Sequence, residues 1–265
     1  MGSRHSSPNE LFALDGKVAV VTGGAGHLGG AMCAALAAAG ARVVVASRSV
    51  DRCQALADTL GAGHLALPVD LASAESIRRM IGQAIESMGR LDILVNNGYS
   101  GPAPRLSEAT EQDFAASLQV GVTGYFVAAQ ESWRFMRAHG GGSMVNVASM
   151  YGLVGSYPDA YAGTTGCSPP NYHAVKGAVL QLTRHLAVYW AADGVRVNAL
   201  SPGPFPPPEA ERRIPEMVSR LRTKSPLGRM GRPQELQGAL LLLASEAGSY
   251  ITGHNLVVDG GWTAW

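Results

Sequence analysis

The stretch Val18-Ala19-Val20-Val21-Thr22-Gly23-Gly24-Ala25-Gly26-His27-Leu28-Gly29 decides how the rest of the chain is read. Its first four residues are continuously apolar, as in a strand covered on both faces; a half-exposed strand would alternate. Gly24, Gly26 and Gly29 then satisfy the spacing G-x-G-x-x-G. Glycines at that spacing make a tight turn, let backbone approach a pyrophosphate, and let helix pack closely on strand. Residues 29–39 are Ala-rich and helical and end at Gly40. The start of such a helix offers free N–H groups to an anion. With 33 glycines, chance matches to the spacing are common. Its position between a first strand and a helix makes cofactor binding the expected role rather than a plain turn.

Outward from this point the pattern repeats. Short apolar runs at residues 43–45, 65–67, 93–95, 144–147, 195–200 and 256–258 read as further strands. Helical segments lie between them, with stop signals at Gly61, Gly89 and Gly194. Buried strands alternating with helices predict an α/β fold: one doubly wound Rossmann-type domain with a seven-stranded parallel sheet flanked by helices. The expected domain is 14–265, preceded by a polar, disordered tail over 1–13.

Composition narrows the function. Of the 265 residues, 46% are apolar and 15% charged, so the chain has material for a large core. The net charge of +1 gives no basis for nucleic acid or an anionic membrane as partner. Cys33, Cys53 and Cys167 are odd in number and widely spaced, which predicts neither a metal site nor a disulfide framework and fits a reducing cytoplasm. The N-terminus lacks the apolar core of a signal peptide, and the longest apolar run, 31–39, is too short to cross a bilayer.

The second strand runs into Ser47 and Arg48. An acidic residue here would hold the 2′-hydroxyl of NAD; none is present, and Asp51 falls into the next helix. Arg48 instead suits a 2′-phosphate, so NADP is expected over NAD, with His27 the other nearby cation. The competing reading of Arg48 is a solvated surface arginine.

Tyr172 and Lys176 are four residues apart in a helical stretch, which places them on one helix face. An ammonium beside a phenol is expected to favour the phenolate, tuning it for proton transfer at a carbonyl or alcohol oxygen. Ser149 ends the fifth strand, at the sheet edge where ligands of open α/β folds bind. There its hydroxyl is placed to bind the substrate oxygen.

With these residues in order, the sequence resembles the short-chain dehydrogenase/reductase family over residues 14–262. The resemblance is carried by the glycine loop, Asp70, Val95-Asn96-Asn97-Gly98, Ser149, Tyr172 with Lys176, Asn198 with Pro202-Gly203, and the tail from Pro226-Leu227-Gly228-Arg229 to Gly260-Gly261-Trp262. Within the family the chain is similar to bacterial sugar-acid or polyol dehydrogenases of the gluconate 5-dehydrogenase kind. The resemblance implies an NAD(P)-dependent enzyme interconverting a secondary alcohol and a ketone on a small polar substrate, working as a homotetramer. It implies Ser149, Tyr172 and Lys176 as the catalytic residues. It implies a cofactor site of Gly23, Gly26, His27, Leu28, Ser47, Arg48, Asp70, Leu71, Asn97, Tyr172, Lys176, Pro202, Gly203 and Phe205.

The chain departs from the family pattern in four places. His27 stands where a middle glycine is usual. Asn96-Asn97-Gly98-Tyr99 replaces Asn-Asn-Ala-Gly, putting a phenol near the nicotinamide side. Gly121 replaces the helical asparagine of the catalytic tetrad, although its backbone carbonyl is still there to hold a relay water. Pro204-Phe205 follows Pro202-Gly203 where a threonine or serine is common.

Ser149 and Tyr172 are further apart than the family's usual spacing. The extra segment, 157–170, has loop chemistry, and both its ends are tied to catalytic residues. It is expected to wall a substrate pocket with Tyr99, Tyr151, Tyr157 and Tyr161; the bland alternative is a surface insertion. Trp262 and Trp265 are further candidates for that pocket. Excess apolar surface on the helices over 111–139 and 172–191, with Ala178, Leu180, Tyr189 and Trp190 facing outward, is expected to mark subunit contacts. Two other functions compete: a cofactor-binding regulatory protein with weak or no catalysis, and an epimerase or dehydratase. The 65 residues after Leu200 leave little room for the substrate domain of the latter.

Overall fold

Valine-rich runs become parallel strands here because both faces of each are covered. The computed structural model describes residues 7–163 and 168–265. Its strands are β1 (Val18–Thr22), β2 (Arg42–Ser47), β3 (Leu65–Pro68), β4 (Ile93–Asn96), β5 (Gly142–Val147), β6 (Val195–Pro202) and β7 (Asn255–Val258). All seven predicted strands are present, in one sheet ordered β3-β2-β1-β4-β5-β6-β7, and every pairing is parallel.

The two-residue repeat of a strand sends neighbouring side chains to opposite cores. Val18, Val20 and Val44 join one cluster, with Ile77 and Met80 of α4 (Ala74–Met88), Tyr125 of α6 (Gly124–Met136) and Val175 of α7 (Pro170–Trp190). Ala19, Val21, Val43 and Val45 join the other, with Met32 and Leu36 of α2 (His27–Ala38), Cys53 of α3 (Val50–Leu60) and Leu240 of α10 (Gln237–Ala244). The expected stops hold: Gly61, Gly89 and Gly194 all lie at positive φ at helix ends.

The strand order reverses between β1 and β4, and in doubly wound sheets that switch point opens a crevice at the carboxyl ends of the strands. Thr22 clips it. Its hydroxyl donates to Val95 O and accepts from the backbone N–H groups of Asn97 and Gly98.

The structure differs from two expectations. Residues 1–6 of the expected disordered tail lie outside the described residues, and the rest is structured: α1 (Pro8–Phe12) has a reciprocal cap, in which Ser7 Oγ accepts from Glu10 N and Glu10 Oε2 accepts from Ser7 N. Leu14 is buried, and its N–H donates to Ala39 O at 2.6 Å. Polar composition concealed a capping box, which satisfies the helix's own donors. The helices over 111–139 are α5 (Glu111–Leu118) and α6, joined through a π turn, Gln119–Thr123. The second difference is that Leu180 and Trp190 point inward. Trp190 is buried and stacks on the partly buried Trp133 at 5.3 Å, and covering the Trp190 indole outweighs the simple helical-wheel assignment.

Candidate active site

The glycine loop is shaped by close backbone approaches. A Cβ on Gly29 would lie 2.2 Å from Gly23 O, and one on Gly23 would lie 2.6 Å from Gly98 Cα. These two positions lock the loop to α2 and to the turn after β4. Gly26 caps α2 through its backbone alone, with no side-chain hydrogen bond to the first-turn N–H groups, which leaves them for an anion.

A cleft runs from this loop across the sheet edge. Gly23, Gly26, His27, Leu28, Ser47, Arg48, Asp70, Leu71, Asn97 and Phe205 all line it. So the larger part of the expected cofactor set converges. Asn97 is tied down, with Nδ2 donating to Thr22 O and Gly23 O. Tyr172, Lys176, Pro202 and Gly203 are not among the lining residues. Pro202 is buried at the end of β6, Gly203 N–H donates to Val258 O, and Gly203 is bare because Asp259 presses against it.

Arg52, which the sequence reading passed over, also lines the cleft, and its Nη2 donates to Ala25 O. It lies four residues after Arg48, beyond the start of α3, where no motif marks it. The cleft fits a dinucleotide: a glycine cradle, a free helix start, and two guanidiniums at the β2 end.

Ser149, Tyr172 and Lys176 meet at the carboxyl edge of β5. Ser149 is buried; its Oγ accepts from Tyr151 N and its side chain also acts on the Tyr172 hydroxyl. Lys176 is 3% exposed, and its Nζ donates to Val147 O at 2.7 Å. Its charge lies over three rings, at 5.5 Å from the centroid of Tyr99, 5.7 Å from Tyr125 and 5.6 Å from Tyr172.

The electrostatics differ from the sequence expectation of a phenol acidified by lysine. Burial pushes the Tyr172 phenol up, with Ser149 opposing, and burial lowers Lys176 to about 7. The lysine has no carboxylate partner among the described residues, so desolvation governs both groups.

A stability effect follows for the cofactor-free protein. Unfolded, Lys176 keeps its proton to about 10.5; folded, it releases it at about 7. Between these values the unfolded state binds more protons, so stability rises with pH. Denaturant unfolding from pH 7 to 8.5 is expected to show a rise that Lys176→Met lacks. Equal slopes in the two proteins would contradict a buried, readily neutralised lysine.

Beside Tyr172 a second hollow opens, lined by Tyr99, Gly101, Tyr151, Tyr161, Ser168 and Pro169. Tyr99 also lines the cofactor cleft and so joins the two. The Tyr151 and Tyr161 hydroxyls hydrogen-bond at 2.7 Å, and Tyr151 stacks on His173, which bonds Ser168 Oγ at 2.6 Å.

Tyr157 does not line this hollow. It packs on Trp262 and under Lys224, within a third apolar cluster. Trp262 is itself buried behind the hollow, and Trp265 is exposed. Of the expected wall, 157–170, residues 164–167, with Gly166 and Cys167, lie outside the described residues. The outgoing arm is anchored to α9 (Pro215–Lys224): Arg220 donates to Ala160 O and Ala162 O, and Lys224 pairs with Asp159.

Sequence reasoning also missed Asn171, which is buried and ties two elements together. Its Nδ2 donates to Pro102 O and to Ser117 Oγ, fixing the start of α7 against the loop after β4. Its place beside Tyr172 was the available signal.

Comparison with known proteins agrees with this geometry. The family model adh_short_C2, described as enoyl-(acyl carrier protein) reductase, matches residues 23–263. The chain is 40% identical to galactitol 2-dehydrogenase (L-tagatose-forming) of Cereibacter sphaeroides, over 96% of this chain and 98% of that protein. It is 37% identical to cis-4-hydroxycyclohexanecarboxylate dehydrogenase of Sinomonas cyclohexanicum, over 96% and 99%. The solved structure of a gluconate 5-dehydrogenase from Burkholderia cenocepacia J2315, in complex with NADP and tartrate, superposes with a TM-score of 0.88 at 31% identity, covering 98% of this chain and all of that one. Fold, site and kinship make this chain a member of the short-chain dehydrogenase/reductase family. It is an NAD(P)-dependent oxidoreductase that interconverts a secondary alcohol and a ketone.

Proposed function

We propose that the chain acts on small polar substrates of the polyol, sugar, sugar-acid or hydroxylated-ring kind, prefers NADP to NAD, and uses Ser149, Tyr172 and Lys176 for proton chemistry. The observation that carries this is the junction at Tyr99: a hollow walled by hydroxyl-bearing rings adjoins the dinucleotide cleft beside Tyr172. The substrates named for the two relatives each carry a secondary alcohol on a compact polar frame.

Held along the cleft by the glycine loop, Arg48 and Asn97, NAD(P) would supply or accept the hydride. Ser149 binds the substrate oxygen. Tyr172, whose phenol burial holds above its ordinary pKa, is protonated at neutral pH and gives its proton to a carbonyl oxygen in the reductive direction. Lys176, which exchanges its proton near neutrality, resupplies Tyr172.

A panel of galactitol, gluconate, cis-4-hydroxycyclohexanecarboxylate and a long-chain secondary alcohol, each with NAD and NADP, tests this at the nicotinamide absorbance. Turnover is expected on polar members only. Activity confined to the long-chain alcohol would refute the substrate reading.

We further place the active form as a homotetramer in the cytoplasm. Leu118, Phe126, Val188 and Tyr189 leave apolar surface exposed on α5, α6 and α7, which a partner copy would cover. Cys33 and Cys53 are free and buried, as a reducing compartment allows. No helix among the described residues is long and apolar enough to cross a membrane. Light scattering at micromolar concentration should give four times the 27.6 kDa chain mass; a monomer mass would overturn the assembly.

A further inference from the structure

Two of the departures from the family pattern touch each other. Gly121 lies in the π turn between α5 and α6, and Tyr99 lies in the loop after β4. A Cβ built on Gly121 would stand 3.1 and 3.2 Å from ring carbons Cδ2 and Cε2 of Tyr99, and 2.4 Å from Val175 Cγ1. The side chain lost at 121 and the ring gained at 99 are therefore one exchange of volume. The other face of that exchange is Lys176. Its ammonium has one hydrogen bond among the described residues, to Val147 O, and is otherwise surrounded by the rings of Tyr99, Tyr125 and Tyr172. Tyr125 and Tyr172 come from helices α6 and α7, whereas Tyr99 comes from a loop and closes the remaining side. The Tyr99 ring also meets Tyr172 edge to face at 5.3 Å, so it touches both members of the pair. Its hydroxyl lies beside Ser117, which Asn171 holds.

We propose that Tyr99 is a positioning residue: seated on Gly121, its ring closes an aromatic cage that holds the Lys176 ammonium in place behind Tyr172. A cation over desolvated rings is held by their negative faces, and the hold is lost with the π face, not with the volume. Among the described residues the ionisable groups facing Lys176 are the phenols of Tyr99, Tyr125 and Tyr172, and no carboxylate is paired with it. The inference rests on the reading of Lys176 as the group that resupplies Tyr172.

The test compares Tyr99→Phe, Tyr99→Leu and Tyr99→Met, with Tyr172→Phe as reference. Leu and Met fill the space over Gly121 without a π face, so either one serves if the other fails to fold. One readout needs no substrate: the pH at which the stability of the cofactor-free protein begins to rise, which follows the Lys176 proton. Losing the π face destabilises the ammonium, so this onset moves to lower pH in Tyr99→Leu and Tyr99→Met and stays in Tyr99→Phe. The second readout is kcat with NADP and galactitol, or whichever panel member turns over. There Leu and Met are expected to lose about tenfold in kcat, and Phe to lose clearly less than either; a change in KM in Phe belongs to the substrate hollow that Tyr99 also lines. Wild-type onset and kcat in both Leu and Met would overturn the proposal, as would a loss in Phe equal to theirs, which would assign the effect to the hydroxyl. If Tyr172→Phe kept its turnover, the reading of the active site would fail instead, and the onset alone would then decide the cage.

Discussion

Tyr172→Phe is expected to lose at least ~10²-fold in kcat while binding cofactor as the parent does. The change removes one oxygen and keeps the ring, which is packed edge to face on Tyr99 and lies under Lys176. The cofactor cleft is lined by other residues, so its shape persists. What is lost is the proton that must accompany hydride transfer. Ser149 cannot replace it, because an alkyl hydroxyl is a far weaker acid than a phenol; its Oγ accepts from Tyr151 N, which orients the hydroxyl without acidifying it enough. The measurement is kcat on a confirmed substrate beside cofactor titration by fluorescence. Near-normal turnover would show that the proton comes from elsewhere.

Arg48→Ala is expected to weaken NADP by roughly 10- to 100-fold and to leave NAD almost unchanged. One charge-assisted contact to a phosphate contributes about 1.5–3 kcal/mol, which sets that range. Arg48 is exposed at the β2 end of the cleft and makes no ion pair among the described residues, so its guanidinium is available to a ligand. Arg52 lies nearby but is bonded to Ala25 O, so it supports the loop and supplies background charge. The effect of Arg48→Ala is therefore expected to exceed that of Arg52→Ala on the NADP/NAD ratio. Equal affinity of the unmodified protein for the two cofactors would sink the assignment of Arg48.

The fold was legible in the sequence because it rests on local patterns. Continuous valine runs, helix-stopping glycines and the spacing of Gly24, Gly26 and Gly29 each act within a few residues, and all seven strands came out where those patterns put them. Ser149, Tyr172 and Lys176 were legible for a related reason: helix periodicity and the end of a strand place them without long-range knowledge. The α1 cap was equally local and still went unread, since polar composition outweighed the Ser7–Glu10 pair.

Contacts between distant segments were decided by the tertiary structure alone. Whether Tyr157 faces substrate or Trp262, and whether Trp190 faces a partner or Trp133, depends on which surfaces the fold brings together. The same holds for the pKa logic. Spacing put Lys176 beside Tyr172, but only burial determines that desolvation outweighs their mutual influence. Gly121 and Tyr99 each looked like an isolated departure from a pattern. They are 22 positions apart in sequence, and the fold packs one ring into the space the other residue leaves empty. Sequence periodicity carries direction along an element, and volume is shared only between elements that have already met.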